Sequence, residues 1–291
     1  MNMTNVLNAT LVLGIMGGAF GLILAIASKI FAVETDERLP LVQDALAGAN
    51  CGGCGYAGCA ACAQAIIDGV APINACPPGG AAAAEKIAAI MGVEAVVGER
   101  KVAHVLCNGG TNAKLKYEYQ GVQDCLGALK VGAGPLECSY GCLGFGSCVK
   151  ACAFDAIHIG PNGAAVVDKD ACTDCGKCMA ACPRHLIVEV PASKKVFVNC
   201  SNKDKGALAA KVCSVSCIGC GMCVKTCKFD AIHLENNVAV IDYSKCKNCT
   251  MCAKACPKNA IEPIPTAEEK EKFKAAQKAA AERAAAAKAE H

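Results

Sequence analysis

Cysteine is the residue through which this sequence would do chemistry: it accounts for 25 of 291 residues, most of them in C-x2-C and C-x3-C clusters. A disulfide framework is the first explanation for such a density in a small secreted domain. It fits poorly here, because an odd count cannot pair completely and the clusters are tighter than the irregular spacings of a stapled scaffold. Metal ligation accounts for both features. It also implies a reducing compartment, in which the thiolates stay available to the metal.

The spacing points to the metal. Cys217, Cys220, Cys223 and Cys227, then Cys246, Cys249, Cys252 and Cys256 with Pro257 after it, follow the C-x2-C-x2-C-x3-C rule of bacterial two-cluster ferredoxins. In that rule three thiolates wrap one [4Fe-4S] cube and the fourth ligates its neighbour, so the sets cross. Cys217, Cys220 and Cys223 go with Cys256, and Cys246, Cys249 and Cys252 go with Cys227. The same pattern occurs earlier in the chain. CVKACAFDAIHI (Cys148 to Ile159) matches CVKTCKFDAIHL (Cys223 to Leu234) at an offset of 75, and Cys172, Cys175, Cys178 and Cys182 match Cys246, Cys249, Cys252 and Cys256 at an offset of 74. The module is therefore duplicated. In the first copy Cys152, Cys172, Cys175 and Cys178 form a complete set. The other set has Phe145 where the second copy has Cys220, so a fourth thiolate must come from elsewhere. Cys138, the nearest, is assigned to it with Cys142, Cys148 and Cys182; Cys107 and Cys125 are the alternatives.

A further set, Cys51, Cys54, Cys59 and Cys76, lies in a glycine-rich segment, CGGCGYAGC followed later by CPPGG. Its glycines let backbone amides approach the cluster sulfides. Five [4Fe-4S] clusters then use 20 cysteines and leave Cys62, Cys107, Cys125, Cys200 and Cys213. Cys62 reads as a buried small residue. A sixth cluster from Cys107, Cys125, Cys200 and Cys213 is the less favoured use of the remaining four. Zinc is the competing metal, since C-x2-C pairs also build tetrahedral sites, but duplicated four-cysteine runs with x2, x2, x3 spacing argue for iron and sulfide.

Two other motifs are coincidental. Gly53 to Gly58 satisfies G-x-G-x-x-G without a preceding strand, and Cys213-x3-Cys217-x2-Cys220 has too little chain after it for a radical-enzyme barrel. The sequence contains no H-E-x-x-H, G-x-S-x-G or Walker A run. His158 and His233 fall at matching strand positions and read as exposed strand residues.

The elements that position these cysteines can be read around them. Met1 to Ser28 carries no charge, and Val6 to Val33 is apolar apart from Asn8, Thr10, Ser28 and Lys29. A helix of roughly 25 residues there is about 37 Å long, against a hydrocarbon layer of roughly 30 Å. A signal peptide would need a basic start, which is missing. Lys29 lies at the inner end of this stretch and Arg38 follows it, whereas the N-terminal flank has no basic side chain, which places everything after residue 33 on the cytoplasmic side of the cell membrane. Gly14 with Gly18 and Gly17 with Gly21 would admit a neighbouring membrane helix. The expected fold class is α+β: a transmembrane anchor (1–33), a small [4Fe-4S] domain (34–92) with a helix over Ala81 to Met91, and two two-cluster ferredoxin-like modules (93–192 and 193–265). Each module carries a short β-hairpin, turning at Pro161-Asn162-Gly163 or Asn236-Asn237. An Ala-, Lys- and Glu-rich tail (266–291) reads as a solvated helix or disordered.

The formal charge of +3, from 29 Lys and Arg against 26 Asp and Glu, gives no reason to expect a nucleic-acid partner. Aromatic residues are 4% of the chain and tryptophan is absent, so something besides large side chains organises the core. Five oxidised cubes at roughly −2 each would take the loaded chain to about −7. An acidic carrier would then need a local basic patch, for which Lys194, Lys195, Lys203, Lys205 and Lys211 are candidates.

The membrane helix, CGGCGYAGC with CPPGG, then CNGG (Cys107 to Gly110), KYEYQGVQDC (Lys116 to Cys125), CSYGCLGFGSCVKAC and the second module together resemble the RnfB family of the Rnf electron-transport complex in its longer, anaerobe-type form. The resemblance covers residues 1 to about 263. It implies an iron–sulfur subunit of a membrane translocase that oxidises reduced ferredoxin, reduces NAD and pumps Na+ or H+. In that family this subunit receives the electrons, while flavins and the nicotinamide site belong to other subunits. The iron–sulfur subunit of another membrane oxidoreductase, such as a hydrogenase, is the alternative, and a zinc scaffold a more distant one. Ala153 and Lys228 depart from the pattern, standing where a proline usually follows the fourth cysteine.

Overall fold

The computed structural model describes residues 3–30, 36–95 and 98–263, together with 268, 271 and 275. The tail expected over 266–291 lies outside the described residues apart from those three, as does the end of the anchor over 31–33.

Helix α1 (Met3–Ile30) has 28 residues, or about 42 Å at 1.5 Å per residue. Its segment Leu11–Ile30 is long and apolar enough to cross a membrane, and none of it is buried against the rest of the chain. An apolar helix left uncovered by its own protein is stable where lipid or another membrane helix covers it. Three further helices, α2 (Arg38–Ala45), α3 (Cys59–Ile67) and α4 (Gly80–Met91), pack around Val42, Ile66 and Ile87, which are essentially inaccessible. Burying each such side chain contributes about 1.5–3 kcal/mol. Asn50 Oδ1 accepts the Cys59 N–H at 2.9 Å and so starts α3 at a cysteine.

The first copy of the repeat contains, in order, β1 (Lys101–Val105), α5 (Cys125–Lys130), α6 (Ser147–Ala151), β2 (Ile157–Ile159), β3 (Ala165–Val167), α7 (Lys177–Ala181) and β4 (Ile187–Pro191). The second contains β5 (Phe197–Val198), α8 (Gly206–Val212), α9 (Met222–Thr226), β6 (Ile232–Glu235), β7 (Val238–Ile241), α10 (Met251–Ala255) and β8 (Ile261–Glu262). The expected hairpins form: β2 pairs with β3 and β6 with β7, both antiparallel. Asn236 and Asn237 both take positive φ, 46° and 66°, as a two-residue turn of this hand requires. In each copy the first strand also pairs with the last, β1 with β4 and β5 with β8. These pairs close each copy over its cysteine loops.

The copies are joined through β1. Val102, Ala103, His104 and Val105 are buried in succession, so the strand is covered on both faces. Part of that cover is Phe197 of the second copy, which is fully buried and stacks on His104 with ring centroids 4.3 Å apart. Lys169 Nζ lies 3.7 Å from the centre of the Phe197 ring, and His104 Nε2 is 2.8 Å from Asn199 Oδ1. Burial pushes the His104 imidazole below its ordinary pKa. His158 and His233, by contrast, are exposed.

Candidate iron–sulfur cluster sites

The four ferredoxin-type runs fold alike. A residue in the left-handed region, Gly146, Gly176, Gly221 or Thr250, turns the chain into a five-residue helix. The third cysteine is the second residue of that helix, and the fourth closes it in an extended conformation. Four residues beyond each fourth cysteine, a backbone N–H donates to its sulfur: Ala156 to Cys152, Leu186 to Cys182, Ala231 to Cys227 and Ala260 to Cys256, each at 3.4 Å. These donors are aimed where a thiolate's charge would sit.

The third and fourth cysteines of a run line different cavities. In the second copy Cys217, Cys220, Cys223 and Cys256 line one of about 350 Å³, and Cys227, Cys246, Cys249 and Cys252 another of about 340 Å³. In the first copy Cys152, Cys172, Cys175 and Cys178 line a cavity of about 340 Å³. The remaining cavity, about 410 Å³, is lined by Cys142, Cys148 and Cys182 with Cys125. Cys138, expected to complete this set, is elsewhere. Cys125 reaches the position because Asp124 caps α5, accepting the Leu126 and Gly127 N–H groups, while the Cys125 N–H donates to Ser147 Oγ at 2.8 Å. From Cys107 to Cys138 the first copy has 18 residues more than the second has from Cys200 to Cys213. That extra length carries Cys125 to this cavity.

Cys138 lines a fifth cavity, of about 320 Å³, with Cys107, Cys200 and Cys213. Two thiols come from each copy in matching places. Cys142 N–H donates to Cys107 Sγ, and its counterpart Cys217 N–H donates to Cys200 Sγ, both at 3.2 Å. Arg184 donates to the carbonyl oxygens of Cys138 and Ala133, at 3.0 and 2.7 Å, and pins the loop between this cavity and the Cys142 set. Asn202, buried, has its Nδ2 3.7 Å from Cys138 Sγ. Sequence reasoning passed over Arg184, Asn202 and Ser147. It did hold a signal for the fifth cavity: Cys138 and Cys213 are themselves 75 apart, each four residues before the first cysteine of a run.

In the N-terminal segment Cys54, Cys59 and Cys76 surround the buried Cys62, whose side chain hydrogen-bonds with Cys54. Cys51 precedes them in the same loop. Gly53 of that loop lies against the first copy: a Cβ there would be 2.7 Å from the Cys175 carbonyl oxygen.

Family models agree with this layout. Residues 46–78 match a putative Fe-S cluster family, 164–187 a 4Fe-4S binding domain and 216–260 a 4Fe-4S dicluster domain. The chain is 51% identical to the B component of the Na+-translocating ferredoxin:NAD+ oxidoreductase complex of Acetobacterium woodii, over 88% of this chain and 78% of the relative. It is 45% identical to the B component of the ion-translocating oxidoreductase complex of Methanosarcina acetivorans, over 88% of this chain and 97% of that one. The B component of the proton-translocating ferredoxin:NAD+ oxidoreductase complex of Clostridium ljungdahlii is also 45% identical, over 84% and 87%. The chain belongs to the RnfB family of ion-translocating oxidoreductase complexes. As an RnfB protein it is an iron–sulfur electron-transfer subunit with 4Fe-4S domains.

Burial governs the thiols of this RnfB protein. It pushes Cys148, Cys200 and Cys223 up to about 12, and Cys178 and Cys252 up to about 11. Neighbouring thiols of the same set push in the same direction. Burial thus disfavours the bare thiolate, a cost that a bound cation offsets.

Proposed function

We propose that this RnfB protein carries electrons from reduced ferredoxin toward NAD within a membrane complex that couples the transfer to Na+ or H+ movement. The reaction comes from the names of its relatives, and the cluster-bearing path from its thiol sets. Other subunits would hold the flavins and the nicotinamide site, and this chain would contribute clusters rather than a complete active site. Helix α1 anchors it in the cell membrane, and Lys29 and Arg38 favour the cytoplasmic side for everything after the anchor. The division proposed is an anchor (1–33), an N-terminal [4Fe-4S] domain (34–92), two ferredoxin-like modules (93–192 and 193–265) and a tail (266–291).

Six [4Fe-4S] clusters fit the residues better than five. Cys125 would take the place of Cys138 beside Cys142, Cys148 and Cys182, and Cys107, Cys138, Cys200 and Cys213 would hold the sixth. Among the described residues no three His, Cys, Asp or Glu side chains converge on a point that could hold one metal ion. The thiols line cavities in sets of four, the number of ligands a [4Fe-4S] cube takes at its corners. When bound, the clusters supply one-electron carriers whose potentials are set by burial and N–H···S hydrogen bonds.

What the chain contributes is order. The observation that carries this reading is the cavity lined by two cysteines from each copy, bonded through Cys107 to the Cys142 loop and through Cys200 to the Cys217 loop. It joins the two copies into one row of sites. Through the crossed runs the Cys142 set leads on to the Cys175 set, and the Cys217 set to the Cys249 set. From the Cys175 set the connection passes to the N-terminal loop through Gly53.

Anaerobic purification from membranes tests the reading. About 24 iron and 24 acid-labile sulfide per chain are expected, four of each per site, and reduced ferredoxin should alter the cluster EPR signals. Zinc without sulfide, or an unchanged spectrum, rejects it.

A further inference from the structure

The two copies differ on one face. In the first, the Cys175 loop is covered by the N-terminal loop: a Cβ on Gly53, between Cys51 and Cys54, would be 2.7 Å from the Cys175 carbonyl oxygen and 2.9 Å from its Cα. One cysteine-bearing loop is thus already docked there on another. The counterpart of Cys175 in the second copy is Cys249, and only Cys249 and Cys220 among the 25 cysteines are exposed. Phe229, counterpart of Phe154, lines the same cavity as Cys249 and is 43% exposed.

Charge differs with exposure. Ala153, Ala171, Thr173 and Asp174 of the first copy correspond to Lys228, Lys245, Lys247 and Asn248 of the second. The three lysines are exposed, and Lys247 lines the Cys249 cavity. The opposing carboxylates are Asp230, 3.3 Å from Lys245, and Asp242, whose charge also faces Lys245; the first copy carries Asp155 and Asp168 in the same places. The segment that covers Cys175 is tethered by the chain and needs no steering. A partner that arrives by diffusion does, and lysines around an apolar centre provide it.

Building on the electron-transfer reading above, we propose that the face around Cys249, centred on Phe229 and rimmed by Lys228, Lys245 and Lys247, docks a small acidic iron–sulfur electron carrier. The carrier presents a cluster-bearing loop to Cys249 as the N-terminal loop presents Gly53 to Cys175. The contact is of the small, transient, salt-sensitive kind common to redox partners.

The test uses the full-length, cluster-loaded chain in detergent under anaerobic conditions, with an oxidised acidic two-cluster ferredoxin as the probe. Its affinity is measured at low and high salt. Lys245→Glu with Lys247→Glu should weaken binding about tenfold or more and flatten the salt dependence at unchanged iron content. Lys203→Glu with Lys205→Glu tests the competing patch that the sequence suggested for an acidic carrier, and should change affinity less than about twofold. If the acidic pair loads iron poorly, Lys245→Gln with Lys247→Gln should still weaken binding about threefold. Loss of binding in the Lys203 and Lys205 variant with retention in the Lys245 and Lys247 variants overturns the proposal. So does equal reduction of wild type and variant by limiting reduced ferredoxin, which would leave the electron-transfer reading standing. If ferredoxin neither binds nor reduces wild type while dithionite does, the donor reading fails and the docking face with it.

Discussion

Cys125 and Cys138 are both buried thiols near the Cys142 loop, yet they line different cavities, and one substitution at a time separates them. Cys125→Ser and Cys213→Ser should each lower iron by about four atoms per chain, and each should remove a different EPR component. Cys62→Ser should keep the full iron count, because Cys51, Cys54, Cys59 and Cys76 already supply four thiolates to the N-terminal site. A pH experiment on the metal-free chain follows from burial. Cys148, Cys200 and Cys223 are held near 12, above the ordinary thiol range near 8.5, so the folded chain keeps protons that the unfolded chain releases. The unfolded state then binds fewer protons as pH rises, and the stability of the metal-free chain should fall from about pH 8.5 toward 12. Urea midpoints at pH 7 and pH 10 check this; a higher midpoint at pH 10 would contradict it.

At the scale of elements, short helices are held by the loops they close. The five-residue ligand helices are far below the length at which a helix is stable alone, so packing and ligation sustain them. Close backbone contacts set where each unit sits. Gly206, at the start of α8, would place a Cβ 2.3 Å from the Ile218 carbonyl oxygen, which keeps α8 against the Cys217 loop. Gly53 serves the N-terminal loop in the same way. Gly53→Ala should therefore push that loop off Cys175 at a cost of about 1–3 kcal/mol. Hydrogen exchange over residues 52–58 should speed up while iron content holds; unchanged exchange would show that the contact is not restraining the loop.

Over the whole molecule, charge and hydropathy run along the chain. Residues 34–92 hold six Asp and Glu against two Lys and Arg, whereas residues 193–265 hold eleven lysines against five acidic residues. The basic segment is the one farthest in sequence from α1, and it includes the lysines around Cys249. Because none of Leu11–Ile30 is buried against the rest of the protein, deleting residues 1–33 should move the chain from the membrane fraction to the soluble fraction with its iron content intact. Iron loss on truncation would mean that the anchor also supports the sites.

Cysteine spacing is local, and the duplication, both hairpins and the apolar first helix were legible without coordinates, as was which cysteines of the second copy line a cavity together. A run of C-x2-C-x2-C brings its own thiols together because a few residues of chain cannot carry them far apart. Other features depended on tertiary structure, because they join residues distant in sequence. Cys125 takes its place through a longer segment that folds back on Ser147. Cys107, Cys138, Cys200 and Cys213 meet only because β1 and β5 bring the two copies together around Phe197. The Gly53 contact with Cys175, and with it the contrast that leaves Cys249 open, arises from packing between units, which no spacing rule encodes.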